Sequence, residues 1–167
     1  MITLNIYIIG LPGSGKSTVA RALAKKLNYV YIDLDGLIEK KAHMFIEDIF
    51  KTYGEPTFRQ LETEILKSLT IDHAVISCGG GIVLNKAHKD DMKGLTIYLD
   101  VELEEIKKRL ETDIQRPILL TKSIETIYNE RFIKYQDFAD MIISNQHSVE
   151  KTVDQIINTL KKEGYIL

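Results

Sequence analysis

Gly10-Leu11-Pro12-Gly13-Ser14-Gly15-Lys16-Ser17-Thr18 fits the pattern G-x-x-x-x-G-K-[ST] at every fixed position. The glycines let the backbone fold tightly, so that successive N–H groups turn inward toward the α- and β-phosphates of a nucleotide. Lys16 reaches the β- and γ-phosphates, Ser17 offers a hydroxyl to Mg²⁺, and the helix that begins there points its positive end at the polyanion. Gly13, Ser14, Gly15, Lys16, Ser17 and Thr18 are therefore the nucleotide-binding candidates.

The flanks agree with the motif. Asn5-Ile6-Tyr7-Ile8-Ile9 is a short apolar, β-branched run of the kind that forms a central parallel strand. After the loop, Val19, Leu23 and Leu27 recur every four residues beside Ala20, Ala22 and Ala24, an amphipathic helix with a narrow packing face. Further strands are expected at Val30-Tyr31-Ile32, Ala74 to Ser77, Leu95 to Leu99 and Met141 to Ser144. Helical patterns fill the intervals, the last marked by Val149, Val153, Ile156 and Leu160. Alternation of this kind predicts a three-layer α/β fold around a parallel sheet, with ligands at the C-terminal edge of the strands.

At 167 residues the chain fits one domain. Lys and Arg total 22 against 24 for Asp and Glu, so the net charge of −2 gives no general attraction to nucleic acid or an anionic membrane. The single cysteine, Cys78, excludes an internal disulfide and reads as a small buried filler. The four histidines show no metal spacing, and no run reaches membrane-spanning length. A cytoplasmic monomer is the expectation.

Phosphoryl transfer to an alcohol needs a group to hold the hydroxyl, a metal on the β- and γ-oxygens, and positive charge where negative charge spreads. Asp33 and Asp35 follow the second strand, and an extended segment would project both carboxylates to one side. Asp100 ends the fourth strand, but Glu102, Glu104 and Glu105 behind it suggest a helix N-cap, leaving metal support to Asp33. From Ile38 to Leu69 the pattern is helical, broken at Tyr53 to Pro56, and Arg59 and Glu62 stand three apart, close enough to pair. Gly79-Gly80-Gly81 suits a ligand lying on bare backbone. Arg116, in a polar stretch from Thr112 to Ser123, and Arg131 complete a set of guanidinium forks suited to carboxylate or phosphate. Tyr135, on the face of Arg131, reads as core.

Taken together these residues resemble the shikimate kinases. The matching blocks are Gly10 to Thr18, Asp33-Leu34-Asp35, Gly54-Glu55-Pro56-Thr57-Phe58-Arg59-Gln60-Leu61-Glu62, Ser77-Cys78-Gly79-Gly80-Gly81, Arg116-Pro117-Ile118-Leu119 and Arg131 through Tyr135. The resemblance implies a P-loop kinase fold over residues 1–167, with a five-stranded parallel sheet, a helical substrate lobe at about 34–60 and a short lid at about 112–123. It implies transfer of the γ-phosphoryl of ATP to the 3-hydroxyl of shikimate, with Mg²⁺, on the route to chorismate and the aromatic amino acids. Asp35 would hold the hydroxyl as the base candidate. Arg59 and Arg131 would grip the carboxylate, Gly79, Gly80 and Gly81 would lie against the ring, and Phe50 and Phe58 would wall the pocket. Lys16 and Arg116 would act on the transferring phosphate, Ser17 and Asp33 would serve the metal, and Arg109 and Gln146 would face adenine. The rival readings are a kinase for gluconate or a nucleoside monophosphate, and a non-catalytic nucleotide-binding regulator on the same fold. Neither rival accounts for the Phe58-Arg59 and triple-glycine blocks together with a complete set of Lys16, Asp35, Arg59, Arg116 and Arg131.

Overall fold

The computed structural model describes residues 4–111 and 122–167. At its centre, strand β1 (Ile6–Ile9) is buried along its whole length, and its two-residue period splits the core. Tyr7 and Ile9 join one apolar cluster, and Ile6 and Ile8 the other. Around it stand β2 (Val30–Asp33), β3 (Ala74–Ser77), β4 (Leu95–Asp100) and β5 (Met141–Ser144), in the order β2-β3-β1-β4-β5. Every neighbouring pair is parallel, in a register that aligns Ile8 with Ser77 on one side and Ile97 on the other.

Helices α1 (Lys16–Leu27) and α8 (Val149–Lys162) cover one face through Val19, Leu23, Val153, Ile156 and Leu160. The other face carries α2 (Leu34–Ala42), α3 (Ile46–Tyr53), α4 (Glu55–Ser68), α6 (Leu103–Leu110) and α7 (Ile124–Phe138), with the short α5 (His88–Asp91) at its border. The three-layer architecture with a five-stranded parallel sheet is the one the sequence predicts. Among the described residues no helix is long and apolar enough to cross a membrane.

Three local readings need correction. Asp33 and Asp35 are not both on extended backbone: α2 starts at Leu34, so Asp33 occupies the N-cap position and Asp35 the first helical turn. Helix therefore begins four residues before Ile38, because the strand runs straight into it and buried Leu34 anchors the junction. The helical run to Leu69 is also broken once more, at His43 to Phe45. His43 adopts the left-handed conformation without any glycine to announce it, and the Glu39 carboxylate accepts the Ile46 N–H at 3.0 Å where Phe45 offers no capping group. Finally, Asp100 belongs to β4 and Glu102 holds the N-cap position of α6.

Candidate active site

The turn after β1 builds the first half of the site. Gly15 sits at φ +88°, and a Cβ there would lie 2.6 Å from the amide nitrogen of Asn145, so both backbone conformation and space demand glycine. Lys16 folds back over the loop, its Nζ donating to the carbonyls of Gly10 at 2.9 Å and Leu11 at 3.0 Å. A cavity of about 140 Å³ opens beside it, lined among others by Gly13, Ser17, Thr18, Asp33, Asp35 and Ser77. Ser17 Oγ lies 3.3 Å from Ser77 Oγ, so the end of β3 brings a second hydroxyl beside the loop.

Two side chains hold this loop from behind. Asn145 is buried; its amide donates to the Ser14 carbonyl at 2.6 Å, and its Oδ1 accepts from Thr152 of α8 at 2.6 Å. Arg109 donates to the carbonyls of Gly13, Ser14 and Asn145, at 3.4, 3.3 and 2.7 Å. Arg109 thus bridges the phosphate loop and the segment after β5. Gln146 accepts the Glu102 N–H at 2.8 Å and pins that segment to α6. The bracing by Asn145 had no sequence signal, since an asparagine after a strand reads as an ordinary loop residue.

A second cleft of about 440 Å³ adjoins the first and shares Asp35, Gly79 and Gly80 with it. Arg59, Arg131, Phe50 and Phe58 also line it, the two rings 4.9 Å apart. The triple glycine is explained by space. A Cβ at Gly79 would stand 2.8 Å from Asp35 Oδ1, one at Gly80 3.3 Å from an Arg131 nitrogen, and one at Gly81 would overlap the Arg59 guanidinium. Residues separated by almost one hundred positions are thereby brought together: Asp35, Arg59 and Arg131 face one cavity. Arg116 lies outside the described residues, as do residues 112–121 of the lid expected at about 112–123; Ser123, at its expected end, caps α7 by accepting the Thr126 N–H.

Charge in the cleft is uneven. Arg59 pairs with Glu55 and with Glu62, both at 3.2 Å, and Glu62 is fully buried. Arg131 is 2% exposed, and its Nε has no hydrogen-bond partner among the described residues. Asp35 Oδ1 is likewise buried and unpartnered. Burial, then the carboxylates of Glu62 and Asp33, push the Asp35 carboxyl up to about 6 against the pull of Lys16 and Arg59. Burial also raises Glu62, with Arg59 opposing. Tyr135 is core, as expected, yet its hydroxyl donates to the Gly80 carbonyl at 2.6 Å and so fixes the glycine turn. The burial of Glu62 was not legible, because an Arg and a Glu three apart on a helix are usually an exposed pair.

A family model described as shikimate kinase matches residues 12–161. The chain belongs to the shikimate kinase family. It is 40% identical over 164 residues to the shikimate kinase of Rippkaea orientalis, spanning 94% of this chain and 88% of that protein. It is also 40% identical over 166 residues to the shikimate kinase of Clostridium botulinum, spanning 95% and 96%. Among solved structures, the shikimate kinase of Acinetobacter baumannii in complex with shikimate superposes with a TM-score of 0.91 at 29% identity, over 97% of this chain and 95% of that one. A sugar kinase from Janibacter, at 17% identity and a TM-score of 0.67, shares the fold.

Proposed function

We propose that this protein transfers the γ-phosphoryl group of ATP to the 3-hydroxyl of shikimate. The observation that carries the reading is the cleft in which Arg59 and Arg131 face Asp35 where the acceptor cavity meets the phosphate loop. Two guanidinium groups suit one carboxylate, and a carboxyl at the junction suits the one hydroxyl that must meet phosphorus. Family membership and the shikimate-bound relative support the same acceptor.

In this reading Asp35 accepts a hydrogen bond from the 3-hydroxyl and takes its proton as the new O–P bond forms and the bond to the β-phosphate oxygen breaks. A carboxyl raised to about 6 is ionised at neutral pH yet basic enough to receive that proton. Lys16 exchanges its bonds to Gly10 and Leu11 for phosphate oxygens and meets the charge that develops there. Arg116 would add a second cation from the lid. Gly79 to Gly81 make room for Asp35, Arg131 and Arg59 around the ring, and Phe50 and Phe58 would pack its apolar edge.

Ser17 and Asp33 line the small cavity together and offer the hydroxyl and carboxylate oxygens that Mg²⁺ prefers. Among the described residues no three acidic, histidine or cysteine side chains gather as a cage, which suits an ion held mainly by water and phosphate. When bound, Mg²⁺ neutralises charge on the β- and γ-oxygens. Arg109 and Gln146 would flank adenine, and a cytoplasmic monomer of one domain is the simplest form.

The test is ADP release from Mg-ATP with shikimate, quinate, gluconate or nucleoside monophosphates as acceptor. Turnover that depends on shikimate is expected. Equal or greater turnover with gluconate or a nucleotide, or ATP hydrolysis indifferent to all four, overturns the assignment.

A further inference from the structure

Arg59 reaches the acceptor cleft without a packed wall behind it. A third cavity of about 350 Å³ adjoins it, touched by Arg59, Glu62, Thr63, Gly81 and His88. Its guanidinium presses on Gly81 across the gap between α4 and the turn that follows β3. Something must hold that gap at a fixed width, because the two walls of the cleft belong to separate chain segments.

His88 spans it. The ring is 1% exposed, with Nδ1 2.8 Å from the Ile82 carbonyl and Nε2 2.7 Å from Thr63 Oγ1. Ile82 directly follows Gly81, and Thr63 stands one helical turn beyond Arg59, so the bridge runs alongside the Arg59–Gly81 contact. A carbonyl can only accept, so Nδ1 donates to Ile82. Thr63 Oγ1, which also lies 3.0 Å from the Arg59 carbonyl, meets the ring at Nε2 on the other wall. Both ends of the imidazole are thereby used, one on each wall.

We propose that His88 is a positioning residue for the acceptor, setting the distance between Arg59 and the triple-glycine turn through its Thr63 and Ile82 hydrogen bonds. The inference rests on the acceptor-cleft reading above. It assigns His88 and Thr63 no contact with substrate and no part in ATP binding.

Steady-state KM values for shikimate and for ATP test it in His88→Asn, which keeps a donor for Ile82 and loses the Thr63 arm, and in Thr63→Val, Thr63→Ser and the His88→Asn/Thr63→Val double variant. Loss of one buried hydrogen bond predicts a shikimate KM raised about three- to tenfold in His88→Asn and Thr63→Val. The ATP KM and kcat should stay within about twofold, Thr63→Ser should restore the wild-type value, and the double variant should be no worse than either single one, since all remove the same bond. An unchanged shikimate KM, a parallel rise in the ATP KM, or multiplying effects in the double variant would overturn the inference. If His88→Asn fails to fold, the half-buried Thr63 pair decides alone, through the shikimate KM and its rescue by serine. Wild-type enzyme that ignores shikimate fails at the first assay and overturns the acceptor reading and the inference with it. Unmoved variants of a shikimate-dependent enzyme overturn the inference only.

Discussion

Replacing Asp35 by asparagine should make this protein more stable and nearly inactive. The carboxyl ordinarily titrates at 3.8, and the fold holds it at about 6, first by burial and then through Glu62 and Asp33. The folded chain thus binds this proton more tightly than the unfolded chain does. Wild-type stability accordingly falls as pH rises from about 4 to about 6, and stays lowered above that range. At about 1.4 kcal/mol per pH unit the difference amounts to about 3 kcal/mol, a sizeable share of the 5–15 kcal/mol typical of a whole domain. Asparagine keeps the shape and removes the charge.

The measurement is urea unfolding of wild type and Asp35→Asn, without nucleotide, at intervals from pH 4 to pH 8. The variant should gain about 2.5 kcal/mol on the wild type across that span, the rest being already lost by pH 4, with most of the change between pH 4 and pH 6. A constant offset from the amide itself produces no such slope. A difference that is flat with pH, or that favours the wild type increasingly above pH 6, would refute the placement of a strained carboxylate at this position. The same titration should appear in wild-type kcat/KM for shikimate, rising with pH through about 6 as Asp35 loses its proton. Asp35→Asn should lose turnover while still binding ATP.

Lys16→Ala should weaken ADP binding about ten- to hundredfold by calorimetry, the loss expected for hydrogen bonds to a charged phosphate, and should abolish turnover as well. Glu62→Gln removes the carboxylate that raises Asp35 most, so the acidic limb of the pH–rate profile should move below 6; a limb that stays or moves up would show that the two acids do not communicate. Gly81→Ala puts a methyl group where the Arg59 guanidinium lies. Its shikimate KM should rise about tenfold or more with the ATP KM little changed, and a wild-type shikimate KM would mean that Arg59 has freedom this geometry denies it.

The nucleotide half was legible because its signals are local. A buried strand, a fixed run of glycines and an amphipathic helix follow one another within Ile6 to Leu27, and each is set by neighbours in the chain. The acceptor half depends on distant partners. The pairing of Arg59 with Glu62 could be read from spacing, but the full burial of Glu62 depends on distant chain, with the glycine turn at Gly79 close against its carboxylate. The start of α2 was hidden because Gly36, a poor helix former, sits in its first turn, and the His43 break because only tertiary packing makes a histidine left-handed there. Arg109 offers the same lesson at the other end: its place on a helix was clear, its grip on three loop carbonyls was not.

That contrast bears on how the cleft recognises an anion. Of the two arginines, Arg59 is already matched by Glu55 and Glu62, whereas Arg131 is buried with a donor that no described residue accepts. A buried cation with a donor left unmet is costly, even with Glu62 and Tyr135 near its guanidinium, and an incoming carboxylate would relieve that cost. In the proposed reading Arg131 would supply most of the discrimination for an anionic acceptor, and Arg59, steadied by its own acids, would supply direction. Asp35 adds the opposite constraint, because its carboxylate repels an anion at the phosphate end of the cleft. An acceptor with its negative charge at one end and a hydroxyl at the other satisfies both, and can lie in one orientation only.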